Sequence, residues 1–358
     1  LSEYVQRLAR LQRRLAEEGC DAIFMATPVN IRYLTGFSGS AGCLLVSVDE
    51  AYLFTDGRYR LQAAQQAPDV RLTISGSDAL GDMLELAAGL RIERLLFESN
   101  RLSYQLWRRL ATGLPRTNLE PADQWIEQAR RIKSESELAA LRACAELNAS
   151  SFLAVLENAR PEWTELDLAA EIEHEMRRRG ASGAAFDTIV AAGPHGALPH
   201  AMPRPQALGR KRLVVVDHGA ILGAYVSDQT RLIAFGDPGP EELRLVTAAA
   251  QAQLESLSTL KAGVAAKTVD RAARNFLKRQ GLDELFVHST GHGLGLEIHE
   301  SPKLGQNESM RLRAGMVVTI EPGVYRDGVA GARVEDVVAV RPDGFEALTP
   351  SIPHLTIL

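Results

Sequence analysis

Residues 213–233 read LVVVDHGAILGAYVSDQTRLI, two β-prone runs on either side of Leu222-Gly223. A two-residue turn at that pair sets Asp217 directly opposite Asp228 in an antiparallel hairpin. Side chains facing each other there have Cβ atoms roughly 4.5–5.5 Å apart, and like charges so placed repel. Residues 316–340, MVVTIEPGVYRDGVAGARVEDVVAV, repeat the pattern, because a turn centred on Gly328 sets Glu321 opposite Glu335. Each hairpin is destabilised unless a cation neutralises its pair, and burial raises the cost. Four carboxylates carry roughly four negative charges, which two divalent ions would cancel.

A fifth candidate ligand, His292, lies in STGHGLGLEIHE (289–300), where glycines on both sides permit close backbone approach. Its neutral imidazole can complete the shell of one ion. Hard oxygen donors with one imidazole suit Mn²⁺, Co²⁺, Zn²⁺ or Fe²⁺ better than a thiolate-loving ion.

The chain has 358 residues, more than one hydrophobic core usually organises, so two domains are expected. Its 46% hydrophobic and 24% charged residues are ordinary for a globular protein. A net charge of −5 leaves no electrostatic footprint for nucleic acid. No apolar run approaches the roughly eighteen residues of a membrane span, so no membrane partner is expected. Cys20, Cys43 and Cys144 have neither metal-ligand spacing nor a disulfide framework, which fits a reducing cytoplasm. The opening LSEYVQRLARLQRRLAEEG reads as an amphipathic helix rather than the apolar core of a signal peptide.

The first third alternates helix and strand. AIFMA, IRYLTG, the strand pair GCLLVSV and AYLFTD, a helix over RLQAAQQA, VRLTI, a helix over LGDMLELAAG and ERLLFE make a small α/β domain with a mixed sheet. The polar stretch PRTNLEPAD (115–123) then reads as a linker, giving domains 1–123 and 124–358. Ser134 with Glu137 three residues later matches a capping box that starts a long helix. Two long helical segments, to about Gly180, precede the strand FDTIVAAG and the Asp hairpin. Two more, over 241–260 and 267–281, precede the His segment and the Glu hairpin. Helix, helix, then carboxylate hairpin occurs twice, so the second domain reads as a duplicated α+β unit whose halves meet at the metals.

The motifs VVVDHGA, YVSDQTR, GHGLGLEIHESP, TIEPGVY and RVEDVV together resemble the pita-bread metallopeptidases of the Xaa-Pro dipeptidase (prolidase) and aminopeptidase P group. NIRYLTGFSGSAG and FTDGRYRLQAA extend the resemblance to the creatinase-like N-terminal domain of that group. The expected fold is therefore α+β, a creatinase-like α/β domain followed by a pseudo-two-fold pita-bread domain. The resemblance implies two divalent ions (Mn, Co or Zn), the first held by Asp217, Asp228 and Glu335, the second by Asp228, His292, Glu321 and Glu335. It further implies that His200, His288, His299 and Arg333 contact substrate or the tetrahedral intermediate. Read from the residues alone, His288 and Arg333 could equally orient ligands. His195 and His218 have no assigned role, and His218, next to Asp217 on a strand, should point away from the metals. Asp56, Arg58 and Tyr59 either reach a neighbouring subunit's substrate or form a local turn.

The implied activity is hydrolysis of the peptide bond before proline in a small peptide, with Glu321 moving the proton, by a cytoplasmic homodimer. Xaa-Pro dipeptidase is favoured on the compact two-domain length. Aminopeptidase P, acting on longer Xaa-Pro peptides, and a ligand-binding member of the fold without activity are the alternatives. Neither a GxSxG elbow nor a phosphate-binding Lys and Ser/Thr accompanies the glycines, so serine hydrolysis and nucleotide binding are not indicated.

Overall fold

The computed structural model describes residues 2–358, which divide into two compact units between Arg130 and Arg131. The first unit opens with α1 (Glu3–Glu17), whose N-cap Ser2 accepts from the Val5 amide and whose Leu8, Leu11 and Leu15 form one buried stripe. There follow β1 (Ala22–Met25), α2 (Pro28–Thr35), β2 (Cys43–Ser47), β3 (Ala51–Asp56), α3 (Arg60–Gln66), β4 (Arg71–Ser75), α4 (Ala79–Gly89), β5 (Arg94–Phe97), α5 (Tyr104–Gly113), β6 (Asn118–Pro121) and α6 (Trp125–Arg130). The segment IRYLTG lies in α2, between β1 and β2: Pro28 opens the helix and Gly36, at φ 81°, closes it. The sheet order is β4-β3-β2-β1-β5-β6, antiparallel across β1-β2 and β2-β3 and parallel elsewhere, so the sheet is mixed.

The stretch 115–123 is not a linker. It contains β6, which pairs in parallel with β5, and α6 follows it. Asn30 of α2 donates to Glu127 (2.9 Å) and accepts from Arg130 (2.8 Å), so the first unit runs to Arg130 rather than to residue 123. Within this unit Asp56 turns back on Arg58, accepting from its amide (3.0 Å) and its Nη2 (2.8 Å), and Tyr59 OH meets Ser40 Oγ at 2.7 Å. The DGR segment is a local turn.

The second unit begins with α7 (Glu135–Leu156) and α8 (Glu165–Arg178), both started by capping boxes, Ser134 with Glu137 and Thr164 with Asp167. Next come β7 (Gly183–Ala184), β8 (Ile189–Ala192), a 3₁₀ turn over Gly193–Ala197, β9 (Leu213–His218), β10 (Ala220–Leu222), β11 (Tyr225–Val226) and β12 (Gln229–Ala234). The pattern then recurs: α9 (Pro240–Thr259), α10 (Ala266–Arg279), β13 (Gly291–Gly293), β14 (Glu300–Leu304), β15 (Val317–Ile320), β16 (Gly323–Arg326), β17 (Ala330–Arg333), β18 (Asp336–Arg341), β19 (Gly344–Ala347) and β20 (Leu355–Ile357). The main sheets run β20-β12-β9-β8 and β14-β13-β15-β18-β19.

Both sheets are buried on two faces, which explains the near-continuous apolar runs in β9 and β15. Val214 and Val216 pack with Phe152, Leu168 and Ile172 of α7 and α8, while Leu213 and Val215 pack with Leu245, Ala249 and Ala273 of α9 and α10. Likewise Val318 and Ile320 meet Ala266 and Val269, and Val317 meets Leu138 and Leu141. α7 is as long and apolar as a membrane span, but half of its apolar window is buried in this core.

The two hairpins differ in how well turn position could be read. In the second, Ile320 pairs with Asp336 and Gly323 with Arg333, so Glu321 and Glu335 occupy facing positions of one continuous register. In the first, Leu222 pairs with Tyr225 and Asp217 with Thr230, not with Asp228. The turn is Gly223-Ala224, one residue later than expected, because its two central residues sit at φ 58° and 78°. Leu222 in that conformation would be strained, whereas Gly223 adopts it freely and Ala224 is small. The register moves by two, so Asp228 stays on the face of Asp217 and becomes its diagonal neighbour.

Candidate metal centre

Each sheet contributes acidic side chains from places where its strands are interrupted. Asp217 is near the end of β9, and Asp228 immediately precedes β12. Glu321 immediately follows β15, and Glu335 immediately precedes β18. His292 is the middle residue of β13, next to a bulge between His292 and Gly293. Its Nδ1 lies 3.1 Å from the Gly293 carbonyl, which can only accept, so Nδ1 carries the proton and Nε2 presents a lone pair. That Nε2 stands 3.5 Å from Asp228 Oδ2 and 3.4 Å from Glu321 Oε1. Donor atoms of Asp228, His292 and Glu335 all lie within 4.8 Å of one another, a spacing that would hold a metal ion.

The electrostatics fit a cation. Burial first, and then a neighbouring carboxylate (Asp217 for Asp228, Asp228 for Glu335), push both carboxyls well above the ordinary range. Burial likewise raises Glu321 to about 7, against the opposing pull of Arg333. Asp217 Oδ1 and Glu335 Oε1 are buried with no hydrogen-bond partner. Orphaned anionic oxygens are costly, and a cation between them removes that cost. The second oxygen of each is spoken for: Arg333 Nη2 donates to Asp217 Oδ2 (2.6 Å) and Thr230 Oγ1 donates to Glu335 Oε2 (2.6 Å). One oxygen of each carboxylate is thus fixed by protein and the other left for an ion.

Comparison with known proteins bears on what this centre is. A family model described as metallopeptidase family M24 matches residues 139–342, and one described as the Creatinase/Prolidase N-terminal domain matches residues 7–132. The chain belongs to metallopeptidase family M24. It is similar to the Xaa-Pro dipeptidase of Pyrococcus furiosus, at 33% identity over 96% of this chain and 97% of that one. The solved structure of an Xaa-Pro dipeptidase from Bacillus anthracis is 34% identical with a TM-score of 0.96, covering 99% of this chain and all of that one. An X-Pro aminopeptidase from Thermotoga maritima is 33% identical, TM-score 0.92, covering 97% of this chain and all of that one. The fold is the pita-bread fold, and the protein is a peptidase.

In this M24 peptidase the five donors border a cavity of about 910 Å³ that His200, His288, His299 and Arg333 also line. His200 and His299 are exposed to it, and the His299 ring meets the His292 ring edge-on at 4.4 Å. His288 is engaged through both nitrogens, Nδ1 with the Ser289 carbonyl (2.8 Å) and Nε2 with Tyr325 OH (2.9 Å). Arg333 is buried and donates to Thr230 Oγ1, Pro199 O, Tyr325 OH and Asp217 Oδ2. Its guanidinium is turned toward the ligand set. His218 does point away, stacked on Phe152 at 4.8 Å with Nδ1 2.7 Å from Asn148 Oδ1.

Several residues that shape the centre carry no obvious signature. Thr230 and Thr319 orient Glu335 and Glu321 (2.6 and 3.2 Å), and Thr319 Oγ1 also accepts from the His292 amide. Strand alternation was the available signal, since Thr230 lies two residues from Asp228 and Thr319 two from Glu321, each on its ligand's face. Tyr325 and Arg231 had none: Arg231 holds the Glu335 carbonyl at 2.7 Å from the neighbouring strand.

Proposed function

We propose that this M24 peptidase is a dinuclear metal-dependent Xaa-Pro dipeptidase. The observation that carries the metal reading is the pair of buried, unpartnered oxygens on Asp217 and Glu335, in a cluster where donor atoms of Asp228, His292 and Glu335 lie within 4.8 Å of one another. Asp217, Asp228 and Glu335 would hold one divalent ion, and Asp228, His292, Glu321 and Glu335 the other, with Mn²⁺, Co²⁺ or Zn²⁺ suited to this oxygen-rich donor set. When bound, the ions supply an activated water and stabilise developing negative charge.

The chain's own groups do the rest. Glu321, which burial alone would keep protonated and which bound cations would hold ionised, takes the proton of the attacking water and returns it to the proline nitrogen, which has no hydrogen of its own. His200 donates toward the developing oxyanion and His299 orients the substrate. Arg333 and His288 act as positioning residues, the first on Asp217 and the second on Tyr325.

Support for the dipeptidase choice comes from Lys303. It lies on β14 opposite His292, lines the cavity and has no anionic partner among the described residues. A dipeptide presents its carboxylate immediately after proline, where such a cation would meet it; a longer peptide presents a neutral amide. Relatives named as Xaa-Pro dipeptidases and one named as an X-Pro aminopeptidase are similar to this chain at 33–34% identity, so the choice between them rests on Lys303. Metal-loaded protein incubated with Ala-Pro and with Ala-Pro-Ala tests it by the alanine released. Preference for Ala-Pro of at least about tenfold, largely lost in Lys303→Met, is expected, an energy of about 1.4 kcal/mol that one charge-assisted contact supplies. Comparable cleavage of both peptides would instead identify an aminopeptidase for longer chains.

A further inference from the structure

Twenty residues, 193–212, connect β8 to β9, and apart from the 3₁₀ turn they form no regular element. Such a length of chain is ordinarily mobile. Here it forms a wall of the cavity through Pro199, His200, Ala201, Met202 and Pro203. One carboxylate ties both of its ends. Glu165, in the first turn of α8, is fully buried. It accepts from the Ala192 amide (2.9 Å), His195 Nδ1 (2.9 Å), the Arg204 amide (3.0 Å) and Arg204 Nε (3.3 Å). Those donors lie on both sides of 198–203, so both ends of the wall are stapled to one side chain. The backbone repeats the attachment, with the Glu165 amide donating to Gln206 O at 3.0 Å.

Burial alone would raise the Glu165 carboxyl, but Arg204, the Ala192 amide and His195 outweigh it and hold it below the ordinary range. It therefore stays an acceptor across neutral pH. The other half of the pseudo-two-fold unit carries the same device. Asp270 of α10, also fully buried, accepts from the Thr290 amide (3.1 Å), Thr290 Oγ1 (3.0 Å) and Arg274 Nε (2.7 Å). Arg274 in turn donates to the carbonyls of Phe286 and His288. In each half a buried carboxylate of the second helix pins the segment that brings a histidine to the cavity.

We infer that Glu165 is a positioning residue of the peptidase, acting through His200 by fixing the 192–204 segment against α8. This rests on the reading of His200 as a substrate-facing group. Arg333, which donates to Pro199 O at 3.1 Å, grips only the middle of the segment, and the backbone bonds of Leu166 N to Arg204 O (3.3 Å), Leu208 N to Trp163 O (2.8 Å) and Gly209 N to Pro161 O (2.8 Å) hold only its far end.

A double-mutant cycle on the metal-loaded full chain, with Ala-Pro as substrate, separates this role from a merely structural one. Glu165→Gln replaces an acceptor oxygen by a donor facing N–H groups. It should lower kcat about tenfold or more, the usual consequence of misplacing one active-site group by about an ångström, with metal content unchanged. In a His200→Ala background the same substitution should cost less than about twofold, because coupled residues are not additive. Equal losses in both backgrounds, or no loss in the wild-type background, would overturn the inference.

A readout independent of activity is the His200 ring C–H resonance, assigned by its disappearance in His200→Ala. It should shift or broaden in Glu165→Gln. An unmoved resonance overturns the positioning role whether or not Ala-Pro is hydrolysed. A moved resonance in a wild-type protein inactive on Xaa-Pro peptides would leave the positioning role standing and sink the dipeptidase reading alone. Should Glu165→Gln not fold, His195→Ala releases the same staple from the loop side and is measured identically. His195→Asn, whose amide nitrogen stands at the place of Nδ1, should then restore activity; failure to restore it counts against the staple.

Discussion

Arg333 and His288 show how little of a side chain's role is carried by its type. Substrate contact and ligand orientation were equally open for both from the sequence; Arg333 spends its guanidinium on four protein acceptors and His288 both its nitrogens on Ser289 and Tyr325. Burial lowers His288 to about 4, so it is neutral at physiological pH. Its unfolded-state value is near 6.5, and a depressed folded value means the unfolded chain binds the proton more readily. The resulting stability is present in full above pH 6.5 and is lost as pH falls toward 4, by about 3 kcal/mol in all. Urea unfolding of metal-free wild-type and His288→Gln between pH 4 and 7 measures it: the variant should lose that part of the acid dependence, and identical slopes would mean that His288 is not buried neutral. Thr230 and Thr319 belong to the same scale, small hydroxyls whose importance comes only from the carboxylates they touch.

At the scale of elements, most of what was legible came from local chemistry. The Ser134 capping box and the turn around Gly328 are read directly, because each depends on residues close together in the chain. The Asp hairpin was misplaced by one turn residue since two adjacent placements, Leu222-Gly223 and Gly223-Ala224, both contain the glycine. Only the backbone, with positive φ at both Gly223 and Ala224, distinguishes them. Ala224 is the strained member of that turn. Ala224→Gly should raise stability by about 0.5–1 kcal/mol, relief of its left-handed conformation exceeding the added chain entropy. A higher denaturation midpoint with unchanged slope and unchanged metal content is the expected result; a lower midpoint would show that the methyl group's packing outweighs the strain. The segment 115–123 failed as a linker for a related reason. Its polar composition is that of an edge strand, and its pairing partner β5 is some twenty residues away.

For the second unit as a whole, the cluster of buried carboxylates is a local instability that the surrounding sheets are built to tolerate. Removing divalent metal with a chelator should lower the melting temperature, and restoring Mn²⁺, Co²⁺ or Zn²⁺ should raise it in a concentration-dependent way, each site adding about 2.7 kcal/mol of stability at a hundredfold excess over Kd. Glu335→Ala should abolish most of that metal-dependent shift, and a full shift in the variant would remove Glu335 from the ligand set. The sequence by itself determined the acidic hairpins, the twofold succession of helix, helix and hairpin, and the donor chemistry, because turns, alternation and charge are written within a few neighbouring residues. Only the tertiary structure decided which oxygens stay unpartnered, which cations face inward and which carboxylates hold the cavity walls. Glu165 and His195 are thirty positions apart, and Thr230 and Glu335 over a hundred, so their pairing exists only once the core has closed around them.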